Sequence, residues 1–475
     1  MRACFTPTFT FLGALFCGAA FIGALPVCLD MLPDAIPAMI YIGIAAAMTI
    51  LLTRLPDRKA YFCVILILIA LGLRLVWSLN APAPTPDDDY GYYREVQLAC
   101  LQGDWAQLIW TFFPWGYFIY LYALGWLFGS APQVPIVANA IIGTATTLLI
   151  YVTASRLIGE RSARPAAVIY AVWPGVIYWT GVYCSEIPHL FFLLAALLCL
   201  LIGSDAEWRR GSWLAAGGLL AALAEFIRPV SLLLLLPFAL YAGTGQRLKL
   251  ETVRGTGSRA VWRGIALALG VYIVCLAALL AAKSLAAGYS NFSASYTLGI
   301  NLANGLNWES KGAFNLDDYR IWDAADPREV NRRAMRLARQ HLNSLLEGGW
   351  WKIPALAGVK FKRMWSIEGC GYDANLIGLT EDQKQHHWLS RYGDQLLAAG
   401  QQFHALVLGL AAIGFLRGRR SGELAFLGCI LSAFVLLHTV IEVDDRYHFA
   451  AQSLLAIAAA VAFRTSTSGH PQASV

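Results

Sequence analysis

Three consecutive carboxylates, Asp87, Asp88 and Asp89, follow an apolar run from Tyr61 to Leu79 and lead into Tyr90, Tyr92 and Tyr93. Adjacent like charges repel, so such a triplet stays ionised only in water or against cations. That places it at a membrane surface, where a spanning helix emerges. A general base needs a carboxylate held in a fixed orientation. Pro82, Pro84 and Pro86 stiffen the approach, and the tyrosines are available to orient the acids. The same cluster suits a divalent metal at Asp88 and Asp89, either Mg²⁺ or Mn²⁺, without requiring one. The plain alternative is a solvated loop that ends a helix.

Cations suited to an anionic partner stand further along. Arg228-Pro229 splits an apolar run from Leu214 to Tyr241, and an Arg at such a break is costly unless it meets water or an anion. Arg446, in Asp444-Asp445-Arg446-Tyr447-His448, either pairs with its acidic neighbours or reaches a phosphate, which guanidinium matches well. Ser185-Glu186 fits a helix start by capping alone, yet puts Glu186 on the same side as the acidic triplet. Trp350-Trp351-Lys352 and the run from Lys360 through Lys362 and Arg363 to Trp365 interleave cations with aromatics, as suits lipid headgroups. Arg74 is read as snorkelling to the interface. His386-His387 is read as a surface pair, since no partner stands at zinc spacing.

The elements that must carry these residues are membrane helices. The chain is 58% hydrophobic and only 14% charged, with a mean hydropathy of +0.55. Soluble domains are about a quarter charged, so the composition is that of an all-α polytopic membrane protein. Apolar runs predict about twelve spans, near 9–28, 36–53, 61–79, 133–156, 165–183, 187–203, 212–226, 229–244, 261–283, 403–416, 422–440 and 447–463. The first is kept as a span and not a signal peptide, for want of a clear cleavage site. With both termini cytoplasmic, the short inner loops hold arginines and lysines such as Arg54, Arg58, Arg161, Arg209, Arg247 and Arg419. The outer loops hold Asp30, Asp87 to Asp89, Glu186 and Asp445. Every short loop obeys the positive-inside rule. The net charge of +6 therefore marks cytoplasmic loops, and nucleic acid is excluded as a partner.

Four regions follow: an additional pair of spans in 1–60, a transmembrane core in 61–283 with a first external loop at 80–132, a larger external segment in 284–402 between spans nine and ten, and terminal spans with a short cytoplasmic tail in 403–475. Within the loops, a surface helix is expected over 92–108. A second, basic helix starting at Asp326-Pro327 is expected to run to Leu346. The Gly- and Asn-rich stretch from Gly299 to Asn315 suits sugar recognition or plain turns equally. Ten cysteines show no CxxC spacing, and Cys100, Cys184 and Cys370 share the outer side, where they are able to pair.

The order of these features resembles the GT-C membrane glycosyltransferases, close to the lipid A aminoarabinose transferases and protein O-mannosyltransferases. Those carry an acidic pair after a spanning helix, as Asp-Glu-x-x-Tyr, and often a Gly-Asp-Trp beyond it. Here Asp88-Asp89-Tyr90-Gly91-Tyr92 and Gly103-Asp104-Trp105 fit, with Asp in place of the Glu. Asn139 to Gly143, Pro174, Ser185-Glu186, Arg228-Pro229 and Asp445-Arg446-Tyr447 also look familial, so the resemblance covers about 61–463. It implies a GT-C-like fold in the plasma (inner) membrane, with an active site on the external, periplasmic side. It implies transfer of a sugar from a polyprenyl-phosphate carrier to a glycan, lipid or protein acceptor, inverting the anomeric centre. Asp88 would be the base with Asp89 beside it. Arg228 and Arg446, with Lys360, Lys362 and Arg363, would stabilise the leaving phosphate, and Tyr92 and Glu186 would line the same site.

Two other classes fit parts of the pattern. A secondary transporter places ionisable groups at mid-membrane and shows related halves, whereas these acids sit at the surface and no halves match. A glycan polymerase or ligase using a polyprenyl-diphosphate donor would share the lipid but rest more on Arg and His.

Overall fold

The computed structural model describes residues 2–55, 58–82, 89–205, 210–244, 258–288, 295–315, 318 and 326–464. Among them every regular element is helical. Eight helices are long and apolar enough to cross a membrane: Cys4–Asp30, Leu32–Thr53, Lys59–Asn80, Gln133–Ile158, Glu186–Ser204, Val261–Ala287, Gly393–Arg417 and Gly422–Val440.

The other four expected spans take shorter forms. Residues 165–183 do not make one helix. Helix Glu160–Ala171 stops, Pro174 opens the short helix Pro174–Tyr178, and a 3₁₀ turn Trp179–Gly181 follows. Proline lacks the amide that would continue the first helix, which sets the break. This broken stretch is nevertheless the centre of the molecule, buried almost continuously from Ala163 to Leu190. Irregular backbone at membrane depth is tolerated only where protein surrounds it. Helix Arg210–Ile227 ends just before Arg228-Pro229, and Leu232–Gly243 begins after it, as the proline predicts. The last helix, Phe449–Val461, is only 13 residues long and lies wholly in the core.

The N-terminal helix Arg2–Asp30 packs against Gly393–Arg417, Gly422–Val440 and Lys352–Ser366, so it is built into the bundle. The tenth span begins ten residues earlier than its apolar run, at Gly393. Its first turns carry Asp394 and Gln395, which hid them from a hydropathy reading.

The polar segments fold as short helices at one end of the bundle. The helix expected over 92–108 is observed as Asp89–Leu101. It stops at Gly103, whose φ of +87° favours glycine. Asp104 Oδ1 then accepts from the Ala106 amide at 3.0 Å. The Gly-Asp-Trp pattern thus has a local turn function. Helix Pro327–Glu347 matches its expected position, and Asp326 accepts from the Arg328 amide at its start. Its basic face is partly neutralised internally, because Glu329 gathers Arg332, Arg333 and Arg336 at 2.9, 3.1 and 3.5 Å. Cys100, Cys184 and Cys370 are all free thiols.

Candidate active site

Five short elements converge where the acids and arginines meet. Glu186 opens helix Glu186–Asp205, and Arg228 follows the end of helix Arg210–Ile227. His189 Nδ1 lies 3.0 Å from the Ala224 carbonyl and ties these two helix ends together. Asn139 Nδ2 donates to the Val182 carbonyl at 2.8 Å and fixes the strand-like approach to Ser185. The result is a close ion pair: Arg228 Nη1 lies 2.6 Å from Glu186 Oε1 and donates to Ser185 Oγ at 2.9 Å. Glu186 is largely buried, so its charge requires that partner.

Arg446 sits opposite, on the 3₁₀ turn Asp445–His448. The sequence left open whether it pairs with Asp444 and Asp445, and the structure decides against that. Asp445 Oδ2 accepts from the amides of Gly369 and Cys370, both at 2.7 Å, and Asp444 Oδ1 accepts from the Asp445 amide at 2.9 Å. Both acids are therefore spent on backbone amides. Arg446 Nη1 instead approaches Asp89 Oδ2 at 3.8 Å. The Asp89 side chain is 47% exposed and that of Arg446 24%. Buried Arg446 Nε makes no hydrogen bond. An unpaired buried N–H is costly, and an acceptor from a ligand would relieve it.

Tyr447 joins the two arginines. Arg446 stands 5.1 Å and Arg228 6.0 Å from its ring centre, within cation–π reach. The phenol accepts from Arg446 Nη2 at 3.3 Å and donates to Glu442 Oε1 at 3.2 Å. Glu442 also accepts from Asn304 Nδ2 at 2.6 Å. Burial pushes the Glu442 carboxyl above the usual carboxylate range, against the opposing pull of Arg446. Asn304 lies on helix Leu298–Leu306, which docks through Gly305: a Cβ there would fall 2.3 Å from the Val440 carbonyl oxygen. The Gly- and Asn-rich stretch therefore braces the turn that carries Arg446.

The remaining expected site residues divide. Asp88 and Asp87 lie outside the described residues, so Asp89 alone represents the triplet. Tyr92 packs against Phe113 and Phe118 at 6.0 and 6.1 Å between ring centres, and Tyr93 packs against the same two rings, each at 5.4 Å. Tyr93 also meets Tyr117 at 4.9 Å, and the charges of the site bear on its phenol. Burial raises its phenol, Asp89 and Glu186 raise it further, and Arg228 and Arg446 oppose them. Lys360 is buried and donates to the carbonyls of Gly305 and Thr439 at 2.8 and 2.9 Å, so it is a brace and not a free cation. Lys362 and Arg363 are exposed on the same helix, and Lys362 lies beside Gly23 of the N-terminal helix. Neither joins the arginine cluster in any described contact.

Arg74 does not snorkel. It is fully buried, donating to the carbonyls of Ala70 and Ala171 at 3.1 and 3.2 Å, and lies 5.9 Å from the Tyr170 ring centre. His386 is exposed, as expected of a surface residue, and His387 caps the short helix Trp388–Arg391. Sequence reasoning missed Glu442 and Asn304 as partners of the site. The only signal for Glu442 was its position three residues before Asp445, and no spacing pointed to Asn304.

Asp89 joins no group of three metal-ligating side chains among the described residues. Its near neighbour is a guanidinium, which repels a divalent ion. The metal expected at Asp88 and Asp89 falls in part on Asp88, which lies outside the described residues.

Residues 114–277 match a family model described as dolichyl-phosphate-mannose-protein mannosyltransferase. The GT-C resemblance read from the sequence is borne out there: the matched segment carries Asn139, Glu186 and Arg228. No curated protein matches the chain. Among solved structures, it is similar to an oligosaccharyltransferase from Archaeoglobus fulgidus tethered to an acceptor peptide. That match has 14% identity and a TM-score of 0.47, over 85% of this chain and 49% of that one. The archaeal oligosaccharyltransferase AglB, in complex with an inhibitory peptide and a dolichol-phosphate, gives 14% identity and 0.43, over 86% and 50%. ArnT from Cupriavidus metallidurans bound to undecaprenyl phosphate gives 16% identity and 0.41, over 82% and 78%. The chain spans about half the length of the oligosaccharyltransferases it matches.

Proposed function

We propose that this chain is a plasma-membrane glycosyltransferase that moves a sugar from a polyprenyl-phosphate carrier to an acceptor at the external face, with both termini in the cytoplasm. The charge asymmetry of the short loops supports that orientation. The observation that carries the chemistry is Arg446, which faces a half-exposed carboxylate at 3.8 Å while its buried Nε has no partner. An enzyme that transfers sugar from a lipid phosphate needs a base and a cation at the reacting carbon, and the start of helix Asp89–Leu101 and the turn Asp445–His448 bring both kinds of group to one site.

In the proposed step an acceptor nucleophile attacks the anomeric carbon and passes its proton to Asp88, with Asp89 beside it. The bond from that carbon to the phosphate oxygen breaks, and a single displacement inverts the centre. Negative charge then grows on the lipid phosphate, where Arg446 receives it through its unpaired N–H. Arg228, 6.0 Å from the centre of the shared Tyr447 ring and held in place by Glu186, adds to that field.

Mass spectrometry of envelope glycans from cells with and without the protein identifies the transferred sugar. Asp88→Asn and Asp89→Asn are then compared with the unaltered chain at matched expression. Loss of the modified glycan in Asp88→Asn supports the proposal, and full modification in both variants overturns it. Undecaprenyl phosphate binding to purified protein is expected to weaken in Arg446→Ala.

A further inference from the structure

Glu368, His404 and His448 meet in the interior on three separate segments. Glu368 follows helix Lys352–Ser366, His404 lies within Gly393–Arg417, and His448 ends the turn that carries Arg446. All three are buried, His404 completely. His448 Nε2 stands 3.0 Å from Glu368 Oε2, and His404 Nδ1 stands 3.4 Å from the same oxygen. The imidazoles stack, with 4.7 Å between ring centres.

The far side of each ring fixes its tautomer. His448 Nδ1 meets the Met364 carbonyl, and His404 Nε2 meets the Trp365 carbonyl at 3.0 Å. A carbonyl only accepts, so each far nitrogen carries the hydrogen. In neutral imidazoles both near nitrogens then present lone pairs to one carboxylate oxygen. Electron-rich atoms this close repel strongly in a buried site. One proton relieves one of the two contacts and leaves the other. His404 Nδ1 indeed makes no hydrogen bond, although it is sealed from water. Gln452, whose Nε2 donates to the same carboxylate oxygen at 2.6 Å, has an Oε1 that is likewise unpartnered. Histidines that bind metal commonly donate their other N–H to a backbone carbonyl, as both do here.

We propose that Glu368, His404 and His448 bind a structural transition-metal ion of the Zn²⁺ class, with Gln452 as the adjoining fourth donor. Two imidazoles and a carboxylate suit zinc, whereas Mg²⁺ and Ca²⁺ prefer oxygen sets. The three ligand atoms all lie within 4.8 Å of one another, the span of one ion's shell. The ion would clamp the turn Asp445–His448 to two helices and so hold Arg446 in register.

The full chain, purified in detergent without added metal, is expected to carry near-stoichiometric zinc by elemental mass spectrometry. Stripping with a strong chelator should lower the melting temperature, and Zn²⁺ should restore it. Co²⁺ in its place should give the visible bands of a tetrahedral site. His404→Ala and Glu368→Gln should lose the metal, while Asp89→Asn should keep it. If the first two variants do not fold, chelation and reloading of the unaltered protein still decide. Protein that carries no transition metal, melts unchanged with Zn²⁺ and gives no cobalt bands overturns the proposal, as does loss of zinc in Asp89→Asn.

Discussion

Arg446 and His448 stand two residues apart on one turn, yet they serve opposite kinds of site. Arg446 looks into a half-open cluster where charges are only loosely matched, 3.8 Å from Asp89 and with an N–H left over. His448 looks inward to a sealed cluster whose atoms are 3.0 Å apart. Under the proposed function the spare N–H of the open site would be taken up by a ligand. The closed site gains rigidity, and its backbone-anchored rings have little freedom to move. Under the proposed function, a turn anchored from behind would hold the partly exposed arginine in place for a phosphate.

The comparison breaks if the closed cluster turns out to be dispensable. Glu368→Ala leaves two buried imidazoles without their carboxylate and is expected to cost about 3–5 kcal/mol, read as a drop in melting temperature. Arg446→Ala is expected to lower transfer by about 10²–10³-fold, the scale of removing one donor to developing charge, with melting little changed. A variant pair showing the reverse pattern would mean the two clusters had exchanged roles. Glu186→Gln keeps the shape but removes the charge that holds Arg228, and transfer should fall by about tenfold, matching one weakened charge-assisted bond.

A smaller effect tests the brace beneath the open site. Burial pushes the Lys360 amine down to about 7, with Glu442 opposing. An unfolded lysine titrates near 10.4, so between these values the unfolded chain binds the extra proton. The penalty is full below the folded value and fades as pH rises. The melting temperature of the unaltered chain should therefore climb relative to Lys360→Met between about pH 7 and 9. A falling or flat difference would show the amine to be fully charged in place. Smallest of all, Lys362→Ala combined with Arg363→Ala should change transfer by less than about twofold, since exposed positions away from the site cost within about 0.5 kcal/mol.

Much of the architecture was legible because membrane burial writes itself into composition. Helices such as Lys59–Asn80 and Gly422–Val440 coincide with their apolar runs almost to the residue. The break at Arg228-Pro229 followed from proline alone. Where the signal failed, packing had replaced lipid as the solvent. The stretch 165–183 is apolar enough to read as a span, but it is enclosed by protein and tolerates a broken path. Arg74 carries a charge that suggested an interface, yet carbonyls from two helices and an aromatic ring receive it in the interior.

For the site, residue types and sidedness in the sequence were enough to nominate Asp89, Glu186, Arg228 and Arg446, because charges in an apolar chain are few and each requires a reason. The chain alone could not say which partner each would choose. Arg446 had two acids beside it in sequence and met a third from 357 positions away. Asp444 and Asp445 were claimed by backbone amides, and Lys360 by carbonyls. Spacing along a helix sets the face a residue occupies, but only tertiary packing decides what stands opposite that face. That is also why the Glu368, His404 and His448 cluster, drawn from three distant segments, left no mark in the sequence.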